Sequence, residues 1–165
     1  MKKLLLTVLT LSTILFAQSG VKSVDNNLYI KECGSCHFGF QTGLLAEKSW
    51  VKIMNNLENH FGTDAFIGKE NYNAILSYLK TNSSEKAMEY KRSRRMRNSI
   101  SSHTTPIKIT EVRYFRDKHD EIPSRIINQK EVRILSNCMS CQTRAEKGSY
   151  SEREISIPNY GRWDD

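Results

Sequence analysis

Two closely spaced pairs of cysteines are the residues of this sequence best suited to chemistry. The first pair reads Cys33-Gly34-Ser35-Cys36, and His37 follows it directly. This spacing, C-x-x-C-H, is that of a c-type haem attachment site. The two thiols add across the two vinyl groups of a haem, and the adjacent imidazole reaches the iron from one side. The motif therefore predicts a covalently bound haem c at Cys33 and Cys36, with His37 as an iron ligand.

Other chemistries of paired cysteines fit this chain less well. A zinc ribbon places its two pairs about 15–20 residues apart, whereas the second pair here, Cys138 and Cys141, lies far along the chain in its other half. A thioredoxin-type redox pair needs a βαβ setting, and no run of buried strands surrounds either pair. Haem attachment is therefore the favoured chemistry at the first pair.

An iron held by one histidine needs a second axial ligand or keeps an open position for a diatomic gas. From Ala46 to Phe61 the apolar residues recur every three or four positions, which predicts an amphipathic helix. His60 lies on its apolar stripe and is the expected distal ligand; Met54, a more remote residue and an open position are the alternatives. His103, among polar neighbours, is expected to be an exposed loop residue.

The elements that must position these ligands are predicted to be short helices. A second amphipathic pattern runs from Lys69 to Lys80, and the attachment motif itself is expected to open a helix. Three short helices around one covalent haem would form a small c-type cytochrome domain, so we expect a mostly α fold with a loop-rich C-terminal part.

The N-terminus has the pattern of a secretory signal peptide. Two lysines precede an apolar run from Leu4 to Phe16, and the small residue Ala17 follows. The run is shorter than the ~20 residues that a transmembrane helix needs. We therefore predict a signal peptide over residues 1–17 and a periplasmic product, with an uncleaved anchor as the alternative because Leu15 occupies a position that favours small residues.

Composition limits the class of protein further. The chain has 165 residues, 38% of them hydrophobic, a formal net charge of +7 and a mean hydropathy of −0.55. One ordinary domain or two small ones fit this length, and so little apolar material needs a cofactor or another cross-link to build a core. Export argues against nucleic acid as a partner despite the basic charge. Because no phosphate-binding loop or hydrolase triad is present, no enzymatic activity is predicted.

A basic segment, Lys86–Arg97, separates the two cysteine pairs. Flanking serine pairs indicate a short basic helix in a linker over residues 83–105. Its cations could dock an acidic partner or anionic lipid through long-range attraction, could meet haem propionates, or could simply keep the linker solvated. These alternatives stay open at the level of sequence.

Beyond the single motif, the mature chain resembles the bacterial dihaem cytochrome c family. The matching stretches are Glu32–His37, Gly43–Leu45, Ser49-Trp50, Ile53-Met54, His60–Gly62, Thr105–Thr110, Phe115–His119 and Cys138–Pro158. The resemblance implies an exported helical carrier of two c-type haems, each with two histidine ligands. His60 would be the distal ligand of the first haem and His119 that of the second. It also implies electron exchange with other redox proteins, including membrane b-type cytochromes.

The chain departs from that family at its second motif. Where the family has C-x-x-C-H, Cys141 is followed by Gln142. A glutamine amide is a poor iron ligand, and attachment machinery generally reads the histidine as well as the thiols. The site could carry no haem and leave a disulfide or a reduced pair. It could hold a thioether-linked haem with His119 as its only imidazole and one face open, or another residue could replace the missing ligand.

These observations predict a domain organisation and a function. We expect an N-terminal c-type haem domain over residues 18–82, the basic linker over 83–105, and a C-terminal domain with a degenerate haem site over 106–165. The predicted function is single-electron transfer through a bis-histidine haem c in the periplasm. The alternatives are a haem-based binder or sensor of diatomic gases and a thiol–disulfide couple at Cys138 and Cys141.

Overall fold

Short helices joined by turns build the protein. The computed structural model describes residues 20–163, so the predicted signal peptide, residues 1–17, lies outside the described residues. The helices are α1 (Asn27–Cys33), α2 (Glu47–Met54), α3 (Lys69–Thr81), α4 (Lys91–Ser99), α5 (Arg113–Asp117) and α6 (Ser124–Ile127). Within this range no strand forms, and no helix is long and apolar enough to cross a membrane. The predicted mostly α fold is confirmed.

Single-turn 3-10 segments complete the secondary structure. They lie at Thr42–Leu44, Leu57–Asn59, Ile109–Glu111, Cys138–Ser140, Ala145–Lys147 and Glu152–Glu154. Three of the six follow α6, and among the described residues no α-helix forms after α6. The C-terminal part is therefore loop-rich, as its sequence predicts.

Helix boundaries agree with the sequence at α3 and differ at α2. The helix predicted over Lys69–Lys80 ends one residue later, at Thr81, and buries Ile75 and Leu79 against α2. The helix predicted to run to Phe61 instead ends at Met54. Two asparagines follow, and asparagine side chains compete with the helix for backbone groups. The amide of Asn56 donates to the Asn59 carbonyl at 2.9 Å and stabilises a turn instead.

One apolar core joins the two halves of the sequence. Leu45, Trp50 and Met54 from the N-terminal half belong to the same buried cluster as Met96 of α4 and Phe115 of α5. The indole N–H of Trp50 donates to the carbonyl of the buried Thr42 at 2.8 Å, so this large side chain is both buried and hydrogen-bonded. The predicted division at residues 82 and 105 stays a prediction, and the cluster extends across both positions.

Polar contacts also link the halves. The amide of Gln41, which is fully buried, donates to the carbonyl of Ala145 and accepts from the hydroxyl of Tyr150. Near the beginning of the described chain, the N–H of Val21 donates to the carbonyl of Gly148 at 3.0 Å. Gly148 has a φ of +73°, and a Cβ there would lie 2.1 Å from the carbonyl oxygen of Val21. Only glycine allows this left-handed, close approach.

Candidate haem sites

The first attachment motif lies at the C-terminal end of α1. Cys33 is the last helical residue, and residues 34–37 form a turn, so the expectation that the motif opens a helix is wrong. The N–H of Gly34 still bonds the carbonyl of Ile30, at 2.9 Å, and a Cβ on residue 34 would lie 2.4 Å from that oxygen. A glycine in the motif therefore lets the chain turn tightly out of the helix and carry Cys36 and His37 away from its axis.

Both thiols of this motif are free, Cys33 half-buried and Cys36 exposed. Burial, helped by the neighbouring Glu32 carboxylate, raises the pKa of Cys33 to about 11. At neutral pH that sulfur is protonated. Thiol–disulfide exchange proceeds through a thiolate, so the environment of Cys33 does not favour redox chemistry of the pair.

The structure brings His37 and His60 together, with their ring centroids 6.1 Å apart and their ring planes inclined by only 15°. The Nδ1 atom of His37 lies 2.8 Å from the carbonyl oxygen of Phe38. A carbonyl accepts, so this nitrogen carries the proton and Nε2 keeps its lone pair for a metal. Two metal–nitrogen bonds of about 2 Å, with about 1 Å from each nitrogen to its ring centre, add to about 6 Å. The observed separation of 6.1 Å between the ring centroids matches this sum.

His60 is held by a turn and not by a helix. Its N–H donates to the Thr63 carbonyl at 2.8 Å, and the Thr63 N–H donates back at 3.1 Å. The residues between them, Phe61 and Gly62, take positive φ values of 52° and 91°, which close this turn. Burial, and then the nearby His37, lower the pKa of His60. The neutral imidazole, which is the form that binds metals, is thereby favoured.

Aromatic rings surround the two imidazoles. The Phe40 ring centroid lies 5.6 Å from that of His37, and the Phe61 ring centroid lies 4.7 Å from that of His60; Phe61 is 53% exposed. The alternative ligand Met54 lies in the apolar core, 3% exposed. These rings give the imidazole pair an apolar surface of the kind that a flat aromatic cofactor covers.

The residues predicted for the second site line one cleft. His119, Cys138 and Cys141 come from separate segments and meet around a space of about 1100 Å³, which includes volume open to solvent. Most of the remaining wall is apolar, and it includes Met96, Ile109, Phe115, Ile126, Val132 and Ile157. Cofactor sites are concave and mostly apolar with a few convergent polar groups, and this cleft has that character.

His119 is oriented for metal binding in the same way as His37. Its Nδ1 atom lies 2.7 Å from the carbonyl oxygen of Phe115, one turn earlier, and its ring stacks on the Phe115 ring with centroids 3.9 Å apart. The proton is therefore on Nδ1, and Nε2 keeps its lone pair. Burial lowers the pKa of His119, which favours the neutral ring. His103 is exposed and takes no part in the cleft.

Cys138 begins a single 3-10 turn, and Cys141 directly follows that turn. The thiols of both residues are free. Burial raises the pKa of Cys138 to about 11 and also raises the pKa of Cys141, so both sulfurs are protonated at neutral pH. Among residues 20–163, no group of three or more His, Cys, Asp and Glu side chains is arranged to hold a bare metal ion. The wide separation of the two cysteine pairs disfavours a four-cysteine zinc site, and residues 20–163 contain no group of side chains arranged as one.

Gln142 contributes an unpartnered oxygen to the cleft. Its side-chain Oε1 is buried and accepts no hydrogen bond from any described residue. Its backbone, in contrast, is fixed: the N–H donates to the Cys138 carbonyl at 2.8 Å, and residue 142 forms an isolated bridge with Ile155. An unsatisfied buried carbonyl costs about 1–3 kcal/mol. Sequence reasoning treated Gln142 only as a missing ligand, because nothing in the local sequence indicates that this oxygen is buried.

Cations of the basic segment border the same cleft. The guanidinium of Arg92 donates to the hydroxyl of Tyr114 at 3.0 Å and to the carbonyl of Tyr150. Arg92 lines both the apolar cleft and an adjoining basic one that also includes Arg95. Arg97 pairs with Glu85 at 3.4 Å. Part of the segment is thus structural, while Lys86, Lys91 and Arg95 are exposed.

Comparison with known proteins shows which family the chain is similar to. The family model for dihaem cytochrome c matches residues 29–150, a range that contains both cysteine pairs. The chain belongs to the dihaem cytochrome c family. The resemblance noted in the sequence is thereby confirmed. No curated protein matches the chain.

Solved structures of this family have the same fold. The diheme cytochrome type c from Shewanella baltica OS155 is 37% identical, with a TM-score of 0.69, and the match covers 84% of this chain and 98% of that one. A diheme cytochrome c from Rhodobacter sphaeroides is 34% identical, also with a TM-score of 0.69, over 79% of this chain and 100% of that one. Dihaem cytochromes c are electron carriers, so the predicted haem c chemistry and electron-transfer role hold at this level.

Proposed function

We propose that the protein is a periplasmic c-type cytochrome that transfers single electrons through a haem attached to Cys33 and Cys36. In this proposal His37 and His60 are the two axial ligands. The observation that carries it is the imidazole pair, whose centroids are 6.1 Å apart with nearly parallel planes. A bound haem supplies the one-electron couple between ferric and ferrous iron.

The residues of the first site have separate roles in this proposal. The thiols of Cys33 and Cys36 anchor the cofactor, and the Phe38 carbonyl holds the His37 ring by its Nδ1 proton, which orients the ring and strengthens Nε2 as a donor. The turn from His60 to Thr63 fixes the second imidazole. Two histidines give a lower potential than a histidine and a methionine would, since a methionine ligand raises it. The proposal assigns no enzymatic reaction to the chain.

The proposed compartment is the periplasm. The apolar segment Leu4–Phe16 after two lysines, followed by Ala17, supports export. The proposed partners are other redox proteins, including membrane b-type cytochromes with an acidic docking face. The exposed cations Lys86, Lys91 and Arg95 and the net charge of +7 support this electrostatic docking. Lower salt should then speed electron exchange with an acidic partner.

The test is the haem content and coordination of the protein exported from a host with working cytochrome c maturation. We expect covalent haem by intact mass and a low-spin spectrum from the first site. His60→Ala should convert that haem to a high-spin form that takes up carbon monoxide. His103→Ala, which changes an exposed histidine, is the matched control and should leave the spectrum unchanged. Absence of covalent haem, in a host that loads a control cytochrome, contradicts the proposal.

A further inference from the structure

The unpartnered oxygen of Gln142 is the feature of the second site that the electron-carrier role does not use. The atom is buried, and Gln142 lines the same cleft as His119, Cys138 and Cys141. Buried polar atoms normally have a partner, and an unsatisfied one points to a missing group. Most of the surrounding wall is apolar, and a bound cofactor would supply that partner.

Glutamine can reach as far into such a site as histidine can. Three bonds separate Cβ from Oε1 in glutamine, and three bonds separate Cβ from Nε2 in histidine. Gln142 follows Cys141 as His37 follows Cys36, so its Oε1 can take the place of a proximal imidazole nitrogen. A neutral amide oxygen binds metals weakly, as long axial glutamine ligands do in some copper sites.

His119 supplies one strong ligand for the same group. Its Nδ1 proton is held by the Phe115 carbonyl, and the ring is fixed by stacking on Phe115. At the border of the cleft, the guanidinium of Arg92 is positioned by Tyr114 and Tyr150. A basic group there matches the carboxylates that a haem carries on one edge.

From these contacts we infer that the second site holds a haem attached to Cys138 and Cys141, with His119 as its only strong axial ligand and Gln142 Oε1 as a weak, exchangeable one. This deepens the proposed function and rests on it, since the chain must be loaded with haem c. Each S–H adds across one vinyl double bond, with sulfur on one carbon and hydrogen on the other, so no oxidant is needed.

The consequence is a ligand-binding haem beside an electron-transferring one. On the Gln142 side, a small neutral ligand such as carbon monoxide or nitric oxide displaces the amide oxygen from ferrous iron. One coordinate bond breaks and another forms, and no electron is transferred in that step. The first haem, with imidazoles on both faces, does not compete for the ligand.

The experiment is intact mass and carbon monoxide titration of the reduced full-length protein. We expect two haems per chain and uptake of one carbon monoxide per chain. Gln142→His should keep both haems, make both low-spin and reduce carbon monoxide uptake at least tenfold. Gln142→Leu, which removes the amide oxygen with which carbon monoxide competes, should keep two haems and bind carbon monoxide more tightly than the wild-type protein; equal affinity in the two forms contradicts coordination by Oε1. His103→Leu is the control at a distant, exposed histidine and should change neither readout.

Each contrary result has a distinct meaning. One haem in the wild-type protein and two in Gln142→His overturn the inference and leave the proposed function intact. Two haems without carbon monoxide uptake also overturn it, since the second face would then be closed by a strong ligand. No haem in either form overturns both proposals. Loss of one haem on changing Cys138 and Cys141 together to alanine assigns the second haem to this site.

Discussion

The buried amide of Gln41 should couple the two halves of the protein, and replacing it measures that coupling. Gln41→Leu keeps the side-chain size but removes the acceptor of the Tyr150 hydroxyl, and it leaves the carbonyl of the fully buried Ala145 with only the Gly148 N–H as a donor, at 2.9 Å. An unsatisfied buried group costs about 1–3 kcal/mol and a lost hydrogen bond about 0.5–1.5 kcal/mol, so the free energy of unfolding should fall by about 2–4 kcal/mol. Gln129→Leu, which removes an exposed hydrogen bond to Asn159, is the control and should change it by less than about 0.5 kcal/mol.

A double-mutant cycle separates the Gln41–Tyr150 hydrogen bond from general damage. Tyr150→Phe alone leaves Oε1 of Gln41 unpaired and should cost about 1–2 kcal/mol. Because the second change removes a group already orphaned by the first, the double variant should cost less than the sum of the two by about 1 kcal/mol.

The assay for this cycle is urea unfolding of the haem-loaded protein, followed by far-ultraviolet circular dichroism and by the haem absorption band. This hydrogen bond lies at the junction between the halves, so both probes should report one shared transition. Additive costs, or a Gln41→Leu variant as stable as Gln129→Leu, would refute the reasoning.

Three further predictions concern stability. Gly148→Ala should lower the free energy of unfolding, measured by urea unfolding, by roughly 2–4 kcal/mol, because a side chain there is strained at a positive φ and clashes with the Val21 carbonyl. Gly39→Ala is the control, since a Cβ at residue 39 makes only ordinary contacts and its φ is not positive. Trp50→Phe should cost about 1–3 kcal/mol by the same assay, since the core loses the larger ring and the Thr42 carbonyl keeps only the longer bond from the Leu45 N–H, at 3.4 Å. Burial raises the pKa of Tyr29 above its usual 10. The protonated phenol's contribution to the free energy of unfolding is therefore complete below pH 10 and is lost as the pH rises further. Tyr29→Phe should flatten the decline in the free energy of unfolding that is measured above pH 10.

Sequence reasoning succeeded where a pattern is local and continuous. The helix over Lys69–Thr81 has regular apolar spacing and no interruption, so its limits were predicted to within one residue. It failed beyond Met54, where the apolar spacing continues to His60 but two asparagines redirect the backbone. The apolar spacing nevertheless indicates His60 as a ligand candidate, and it is the turn from His60 to Thr63, not a helix, that holds this residue beside His37.

The second site shows what a sequence cannot provide. His119, Cys138 and Cys141 are brought together by turns whose geometry depends on packing against α4 and α5, and no periodicity indicates that arrangement. The role of Gln142 depends on the burial of one atom. From the sequence alone, glutamine in place of histidine could be read only as a departure from the family's motif.

The Val21–Gly148 contact also bears on the order of events during biogenesis. A residue just after the predicted signal peptide is hydrogen-bonded to one near the C-terminus, and Gln41 and Ala145, 104 residues apart, are hydrogen-bonded as well. Such long-range contacts close late, because the intervening chain must first be in place. While the chain is still emerging, the segment around Cys33 and Cys36 therefore lacks its native partners. During that interval Cys33, which is half-buried in the folded protein, is as accessible to the haem attachment machinery as the exposed Cys36.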